Sequence, residues 1–473
     1  MPTALHELSA MELAAAIRSR ETSAQAAADA CIARAASFSA LNAFTHMDAD
    51  AVRAAARAAD RALDLGGPIG PLHGVPIAVK DNFDVAGFPA TAGTPALKNN
   101  RPAANAPTVQ ALLDAGAILF GKVGMHELAF GITSNNGFTG AVRNPFDLSR
   151  VPGGSSGGSG AVVGARIVPA SLGSDTGASV RLPANYCGVA GFRPGVGRWS
   201  RQGIVPISAT RDTAGPIARS VADLALFDAI VTGDRRARVV DLAGVRLGVS
   251  RRGFWENLDP ECERVANEAL KMMTAAGVIL VDIDLSEVMG AELQFGLTIG
   301  LYEFKRDLSA YLSAHGASVA FEEVIEGVAS PDVKSLVSAF AGGASPIPDE
   351  VYRQAMDVER PRLIATYNKA LEGLDAVVCP TSPLLPPPIG DDETTALNGV
   401  QVPTFFTAAR NLGAITLAGF PSLSLPVGMS RSGLPVGLTF DAVTGRDRDL
   451  LALGSALEAV FPKAPAPGVH GGV

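Results

Sequence analysis

Two serines and one lysine stand in settings that could do chemistry. Ser155 lies in Gly153-Gly154-Ser155-Ser156-Gly157-Gly158-Ser159, and Ser179 closes Gly173-Ser174-Asp175-Thr176-Gly177-Ala178-Ser179. An apolar, small-residue segment separates them, read as a buried helix from about Ser155 to Arg166 and then a short strand. Glycine loops on either side of one buried element can face each other across a single site. Glycine is needed where the backbone takes positive φ or comes close to a ligand. Such loops also turn several backbone N–H groups into one concavity, which suits a developing negative charge. Lys80 ends the apolar run Val75-Pro76-Ile77-Ala78-Val79; taken alone, it also reads as a solvated strand end.

Simpler readings fail on particular residues. A flexible Gly/Ser linker would continue as a polar tract, whereas apolar segments follow this run. A phosphate loop needs a lysine after its glycines, and none follows here. Gly153-x-Ser155-x-Gly157 fits a nucleophile elbow, but that fold needs an acid and a histidine later in the chain. Only His315 and His470 follow, and His470 falls in a terminal segment, Ala464 to Val473, expected to be a loose tail. His126 beside Glu127 invites a general-base reading. A single histidine in a partly apolar loop is more often a packed, hydrogen-bonded residue.

The run from Pro152 to Pro183 resembles the signature of the amidase signature family of serine hydrolases, GGSSGGS followed by an apolar stretch and G-[TS]-D-[TI]-G-[GA]-S-[IV]-R-x-P. The likeness extends from about Pro71 to about Ala456 and takes in Gly74-Val75-Pro76-Ile77-Ala78-Val79-Lys80-Asp81, which matches the family's lysine motif. It implies Ser179 as nucleophile, Ser155 as bridging serine and Lys80 as base. It further implies an oxyanion hole of the backbone N–H groups of Thr176, Gly177, Ala178 and Ser179, and a cis peptide bond at Gly154–Ser155. These roles are physically consistent. An ammonium cannot accept a proton, and burial against Val75, Ile77 and Val79 disfavours the charged form of Lys80. Ser155 would then pass the Ser179 proton to Lys80. Lys122 also ends an apolar strand, and the family treats that position as structural. Asp175 and Arg181 are expected to brace the loop as an internal pair. Ala178 stands where the family most often has glycine, and alanine tolerates only negative φ cheaply.

Met125-His126-Glu127-Leu128-Ala129-Phe130-Gly131-Ile132-Thr133-Ser134-Asn135-Asn136 and Thr210-Arg211-Asp212-Thr213 resemble blocks shared by bacterial indoleacetamide and mandelamide hydrolases. That likeness implies hydrolysis of small aryl or arylalkyl amides through an acyl-enzyme, with anilides, esters and aryl carbamates as secondary substrates. The substrate side is expected to use Ala129, Phe130, Ile132 and Tyr302, with Phe304 beside them. The alternative carried by the same signature is a protein like the ammonia-supplying component of a tRNA-dependent amidotransferase complex. An intact set of Lys80, Ser155 and Ser179 argues against a non-enzymatic scaffold.

Composition bounds the rest. A chain of 473 residues, 47% hydrophobic, can bury a large core. The net charge is −8 and no basic patch dominates, so nucleic acid is not expected as a partner. Cys31, Cys187, Cys262 and Cys379 show no C-x-x-C spacing and read as reduced thiols of a cytoplasmic protein. The six histidines form no H-x-x-x-H pair, so neither a metal nor another cofactor is expected. No signal sequence or membrane span is read. The expected partner is a small-molecule amide, with a homodimer left open.

The elements that must position these residues read as α/β, a single large domain over 1–473 with a central twisted mixed β-sheet covered by helices on both faces. Residues 1–70 read as N-terminal helices, with capping boxes at Ser9–Glu12 and Thr22–Gln25 and a third helix from Asp48 to Leu65. Residues 71–230 form the signature core, with a loop and strand from Arg198 to Ile207. A strand–helix–strand unit spans Val245 to Ile283, its helix capped by Asp259. Residues 287–369 read as a variable helical cover over the substrate. Phe420–Val427 and Leu434–Phe440 read as a closing strand pair, and Asp449–Val460 as a last helix.

Overall fold

Apolar runs of the sequence become the central strands of the sheet, buried on both faces. A computed structural model describes residues 4–315, 319–340 and 346–468. Its strands are β1 Phe44–His46, β2 Pro76–Lys80, β3 Ile118–Val123, β4 Ala170–Asp175, β5 Ala190–Arg193, β6 Thr213–Ala218, β7 Arg246–Val249, β8 Ile279–Asp282, β9 Ala376–Pro380, β10 Thr394–Leu397, β11 Val400–Pro403, β12 Ser422–Met429 and β13 Pro435–Asp441. One 11-stranded sheet has the order β1-β3-β2-β4-β6-β5-β12-β13-β9-β7-β8. β2 runs parallel to both β3 and β4, and β7 to both β8 and β9; the other pairings are antiparallel. Every residue of β2, β4, β6 and β9 is buried. Strands buried throughout have both faces of the sheet covered, so the expected mixed α/β architecture is found.

The sheet decides where the chemistry-bearing loops emerge. β2 and β4 pair in parallel with Val79 opposite Leu172. Lys80 at the end of β2 and the Ser174–Asp175 end of β4 therefore leave the sheet on one edge. The intervening helix spans Gly157–Gly164, shorter than expected, so Ser155 and Ser156 lie in the turn before it. Its glycines allow close approach: a Cβ on Gly158 would sit 2.4 Å from the Gly124 carbonyl oxygen.

Local signals hold where side-chain chemistry is explicit. The Ser9–Glu12 capping box forms at the start of the helix Ala10–Arg18. Asp48, Ser220 and Asp259 each cap the helix that follows. The second box does not form: Ser23, not Thr22, caps the helix Ala24–Ser37, accepting from the Ala26 N–H. No strand forms over 198–207; Ile204 makes only an isolated bridge to Phe83. The strand in that region is β6, which Pro216 disguises. Pro216 sits opposite Leu172 of β4, and the pairing of β6 with β5 stops at Ile217, one residue short of it. The hairpin β10–β11 is also absent from the sequence reading, although Asn398-Gly399, with φ of 51° and 80°, is a common signal for a two-residue turn.

Residues 287–369 are helical as expected, with helices Leu297–Ala314, Phe321–Glu326, Pro331–Phe340, Asp349–Gln354 and Arg360–Ala370. They carry their own apolar cluster, including Phe304, Leu308, Phe321, Val324 and Val333, seated on Met125, Leu128 and Val205 of the core. Among the described residues no helix is long and apolar enough to cross a membrane. The expected loose tail is described only as far as 468, and His470 lies outside the described residues.

Candidate active site

Lys80 is fully buried. Its Nζ donates to Ser155 Oγ at 2.7 Å and to Ser174 Oγ at 2.8 Å. Asn82 Nδ2 donates to the same Ser174 hydroxyl at 3.0 Å. Burial lowers the Lys80 pKa to about 7, although the carboxylates of Asp175 and Asp212 favour its charged form. A substantial neutral fraction is thus available near pH 7, as a proton acceptor requires. The Gly154–Ser155 peptide is cis.

The loop 176–179 is fixed through its carbonyls and one hydroxyl. The Gly177 carbonyl accepts from Arg181 Nη2 at 3.1 Å, Ala178 from the Leu182 N–H at 2.8 Å, and Ser179 from the Ser156 N–H at 3.2 Å. The Thr176 hydroxyl donates to Asp212 Oδ1 at 2.6 Å. Among the described residues, the N–H groups of Thr176, Gly177, Ala178 and Ser179 have no acceptor within the protein. They are free to receive a ligand oxygen. Ala178 keeps a negative φ, so its methyl strains nothing, and it packs in the cluster that holds Ile132 and Leu182.

Asp175 anchors the base of this loop. It pairs with Arg181 at 3.1 Å, as expected, and also with Arg193 at 3.1 Å, and accepts the Val180 N–H at 3.0 Å. Burial alone would raise its pKa, but the two guanidinium groups overcome this and hold the carboxyl well below the usual carboxylate range. Breaking a buried ion pair leaves an uncompensated charge. Arg181→Met is therefore expected to lower the unfolding free energy by about 3–5 kcal/mol, read from urea denaturation. An unchanged midpoint would show that Arg193 suffices alone.

A cavity of about 200 Å³ opens beside Ser179. The loop 176–179 forms one wall, and Ala129, Phe130, Ile132, Ile207, Leu301 and Phe405 contribute an apolar surface. Ser179 is 6% exposed. Among the described residues no hydrogen bond joins its hydroxyl to Ser155.

Against this geometry, the family model described as Amidase matches residues 26–451. The chain belongs to the amidase family. It is an amide hydrolase, 40% identical to the mandelamide hydrolase of Pseudomonas putida over 98% of this chain and 94% of that protein. It is 42% identical to an indoleacetamide hydrolase of Agrobacterium vitis over 93% of this chain and 94% of that one. A crystal structure described as that of an amidase superposes with a TM-score of 0.86 at 34% identity, covering 96% of this chain and all of the other.

In this amidase Tyr302 does not line the cavity, contrary to expectation. Its ring stacks on Tyr352 at 4.0 Å and its hydroxyl donates to Asp349 at 2.9 Å. The helical periodicity turns it to the outer side of the helix Leu297–Ala314, while Leu297, Gly300 and Leu301 face the cavity. Phe304 lies one layer back, edge-on to Phe130 at 4.7 Å. His126 is buried and reaches the cavity wall. Its Nδ1 accepts the Ser134 N–H at 3.2 Å, which places the ring proton on Nε2, 3.0 Å from Asp332 Oδ2. Lys122 is structural, paired with Asp81 at 3.2 Å and donating to the carbonyls of Phe83 and Pro89.

Four further site residues carry no role in the sequence reading. Ser174 and Asn82 complete the surroundings of the Lys80 amine; Ser174 sits within the second glycine loop and Asn82 follows directly on the lysine motif. Arg211 and Glu292 form a bidentate pair in the cavity wall, at 2.9 and 2.6 Å. Arg211 belongs to the Thr210–Thr213 block, but Glu292 lies in a segment without a motif. Among the described residues no three His, Cys, Asp or Glu side chains are grouped to hold a metal.

Proposed function

We propose that this amidase hydrolyses small, uncharged aryl or arylalkyl amides through an acyl-enzyme on Ser179, with Ser155 as proton relay and Lys80 as base. The observation that carries the reading is a buried amine, its pKa brought near neutrality, hydrogen-bonded to Ser155 beside a loop of unsatisfied N–H groups. Ser179 Oγ attacks the carbonyl carbon as its proton moves to Ser155 Oγ and the Ser155 proton to Lys80 Nζ. The carbonyl oxygen becomes an oxyanion received by the N–H groups of 176–179. Collapse breaks the C–N bond, and the Lys80 proton returns through Ser155 to the leaving nitrogen. Water then attacks the acyl ester under the same base, releasing the acid and restoring Ser179. The missing Ser155–Ser179 contact is a link that substrate closes; catalytic hydrogen bonds are often loose in the unliganded enzyme.

The cavity supports the substrate class. Burying an aromatic ring against Phe130, Ile132 and Phe405 is worth roughly 1.5–3 kcal/mol, about ten- to 150-fold in kcat/KM. Asp332 and Asp392 also line the cavity, and neither pairs with a lysine or arginine among the described residues. Arg211 is neutralised by Glu292. A carboxylate on the substrate would meet net repulsion. The names of the two curated relatives point the same way, and hydrolases of this kind outweigh the amidotransferase reading. Anilides, esters and aryl carbamates pass through similar tetrahedral oxyanions and are the secondary substrates. A cytoplasmic location fits the four free, buried thiols.

The test compares kcat/KM for phenylacetamide and indoleacetamide with acetamide, malonamate, a long-chain fatty amide and a nitrophenyl carbamate, using the purified chain alone. The aryl amides are expected to lead acetamide by at least about tenfold, with malonamate slowest. Preference for malonamate or the fatty amide would overturn the aryl pocket and leave the catalytic residues standing.

A further inference from the structure

We propose that Asp212 is a positioning residue for the oxyanion loop, acting through the hydroxyl of Thr176. The inference rests on the reading of 176–179 as the oxyanion site. Asp212 is 8% exposed, and among the described residues no lysine or arginine pairs with it. A buried carboxylate without an ion-pair partner in contact is retained where hydrogen bonds satisfy it. Its two oxygens do separate work. Oδ2 accepts the N–H groups of Ile207 and Ser208 at 2.8 and 2.9 Å, which caps its own turn. Oδ1 is left for the Thr176 hydroxyl at 2.6 Å, outside that turn. A residue serving the turn alone would not need this second bond.

The far side of the turn is held from the substrate cover. Glu303 accepts from the Ser208 hydroxyl, the Thr210 N–H and the Thr210 hydroxyl at 2.5, 3.0 and 2.5 Å. Asp307 accepts the Ala209 N–H at 2.6 Å. Both acids lie on the helix Leu297–Ala314, whose Leu297, Gly300 and Leu301 face the cavity. The wall that touches the acyl group and the donors aimed at its carbonyl are thus joined through 207–212 in one frame, with the Asp212–Thr176 bond as its last link.

The experiment compares T176V, T176S and D212N with the wild type and S179A on phenylacetamide. T176V is expected to lower kcat about 10- to 100-fold, less than removal of a whole oxyanion donor, with KM changed less than about threefold. T176S, which restores the hydroxyl, should recover most of the loss. D212N should show a similar fall in kcat. It should also move the acid limb of the pH profile to lower pH, because the Asp212 carboxylate helps keep the proton on Lys80; T176V should leave that limb in place. Wild-type kcat in T176V, or a loss that T176S does not recover, would overturn the proposal. If T176V does not fold by thermal melting, T176A removes the hydroxyl without added bulk and is judged by the same outcomes. Failure of the underlying active-site reading would show separately, as activity retained in S179A.

Discussion

Exchanging Ser179 for alanine is expected to lower kcat by about 10⁴-fold or more while the protein still folds. The substitution removes one oxygen that has no hydrogen-bond partner among the described residues, so little of the fold depends on it. Ser155→Ala should come close to the same loss, because the proposed proton route to Lys80 runs through its hydroxyl. The double variant should be scarcely slower than Ser179→Ala alone, since residues that act as a unit are not additive. Ser156→Ala is the informative contrast. The Ser156 hydroxyl donates to the Ser174 carbonyl at 3.1 Å and accepts the Ser174 N–H at 3.3 Å; it ties the two loops together. Its loss should lower thermal stability more than turnover. Near-normal turnover in Ser179→Ala, with loss in Ser156→Ala, would show the nucleophile to be misassigned. Mass spectrometry of a slowly deacylating nitrophenyl carbamate should locate the adduct on the peptide containing Ser179.

Lys80→Ala is expected to cost about 10³-fold or more and to abolish the pH dependence that the amine imposes. In the wild type kcat/KM should rise from acid pH, close to tenfold per unit, and level off above a limb near pH 7, the value burial gives this lysine. The sign follows from the chemistry: only the deprotonated amine accepts the Ser155 proton. A rate that peaked near pH 5 and fell above it would contradict this role. The same titration acts on stability. Because the folded pKa lies below the ordinary lysine value of 10.5, between about pH 7 and 10.5 the unfolded chain holds a proton that the folded chain does not. This group's contribution to unfolding free energy therefore rises with pH across that window and is constant below it.

The residues proposed to act on the substrate carbonyl are legible through the resemblance of two glycine loops and a lysine motif to a family signature; the setting of Lys80 alone does not single it out, since Lys122 also closes an apolar strand. Residues that act on those residues are less legible. Ser174 reaches Lys80 only because β2 and β4 are parallel neighbours, a fact about pairing that neither segment carries alone. Asp212 meets Thr176 across a turn, and an aspartate in a polar block looks the same whether it caps a turn or holds a loop. The type and region of Tyr302 suggest the cavity, but which side of a helix faces a ligand depends on how the helix is seated. Pro216 hides β6, because proline biases a sequence reading against strands although here it pairs with Leu172. Asn398-Gly399 is different: its turn signal is local and readable without any tertiary knowledge.

The parallel pairing of β2 with β4 also limits how this enzyme can change over generations. Side chains alternate across a strand, so adding or deleting one residue inside β2 would turn Lys80 to the opposite face of the sheet and dislodge the apolar side chains around it. A length change there would need a compensating β-bulge, such as the register shift already present between Ile77 and Ala78 against β3, to keep the amine beside Ser155. The helices over the cavity face no such parity rule. They are seated on the core through a separate apolar cluster, where side chains can be exchanged for others of similar volume at modest cost. On the proposed reading, selection for new acyl groups is thus channelled into these helices, while Lys80, Ser155 and Ser179 stay in place.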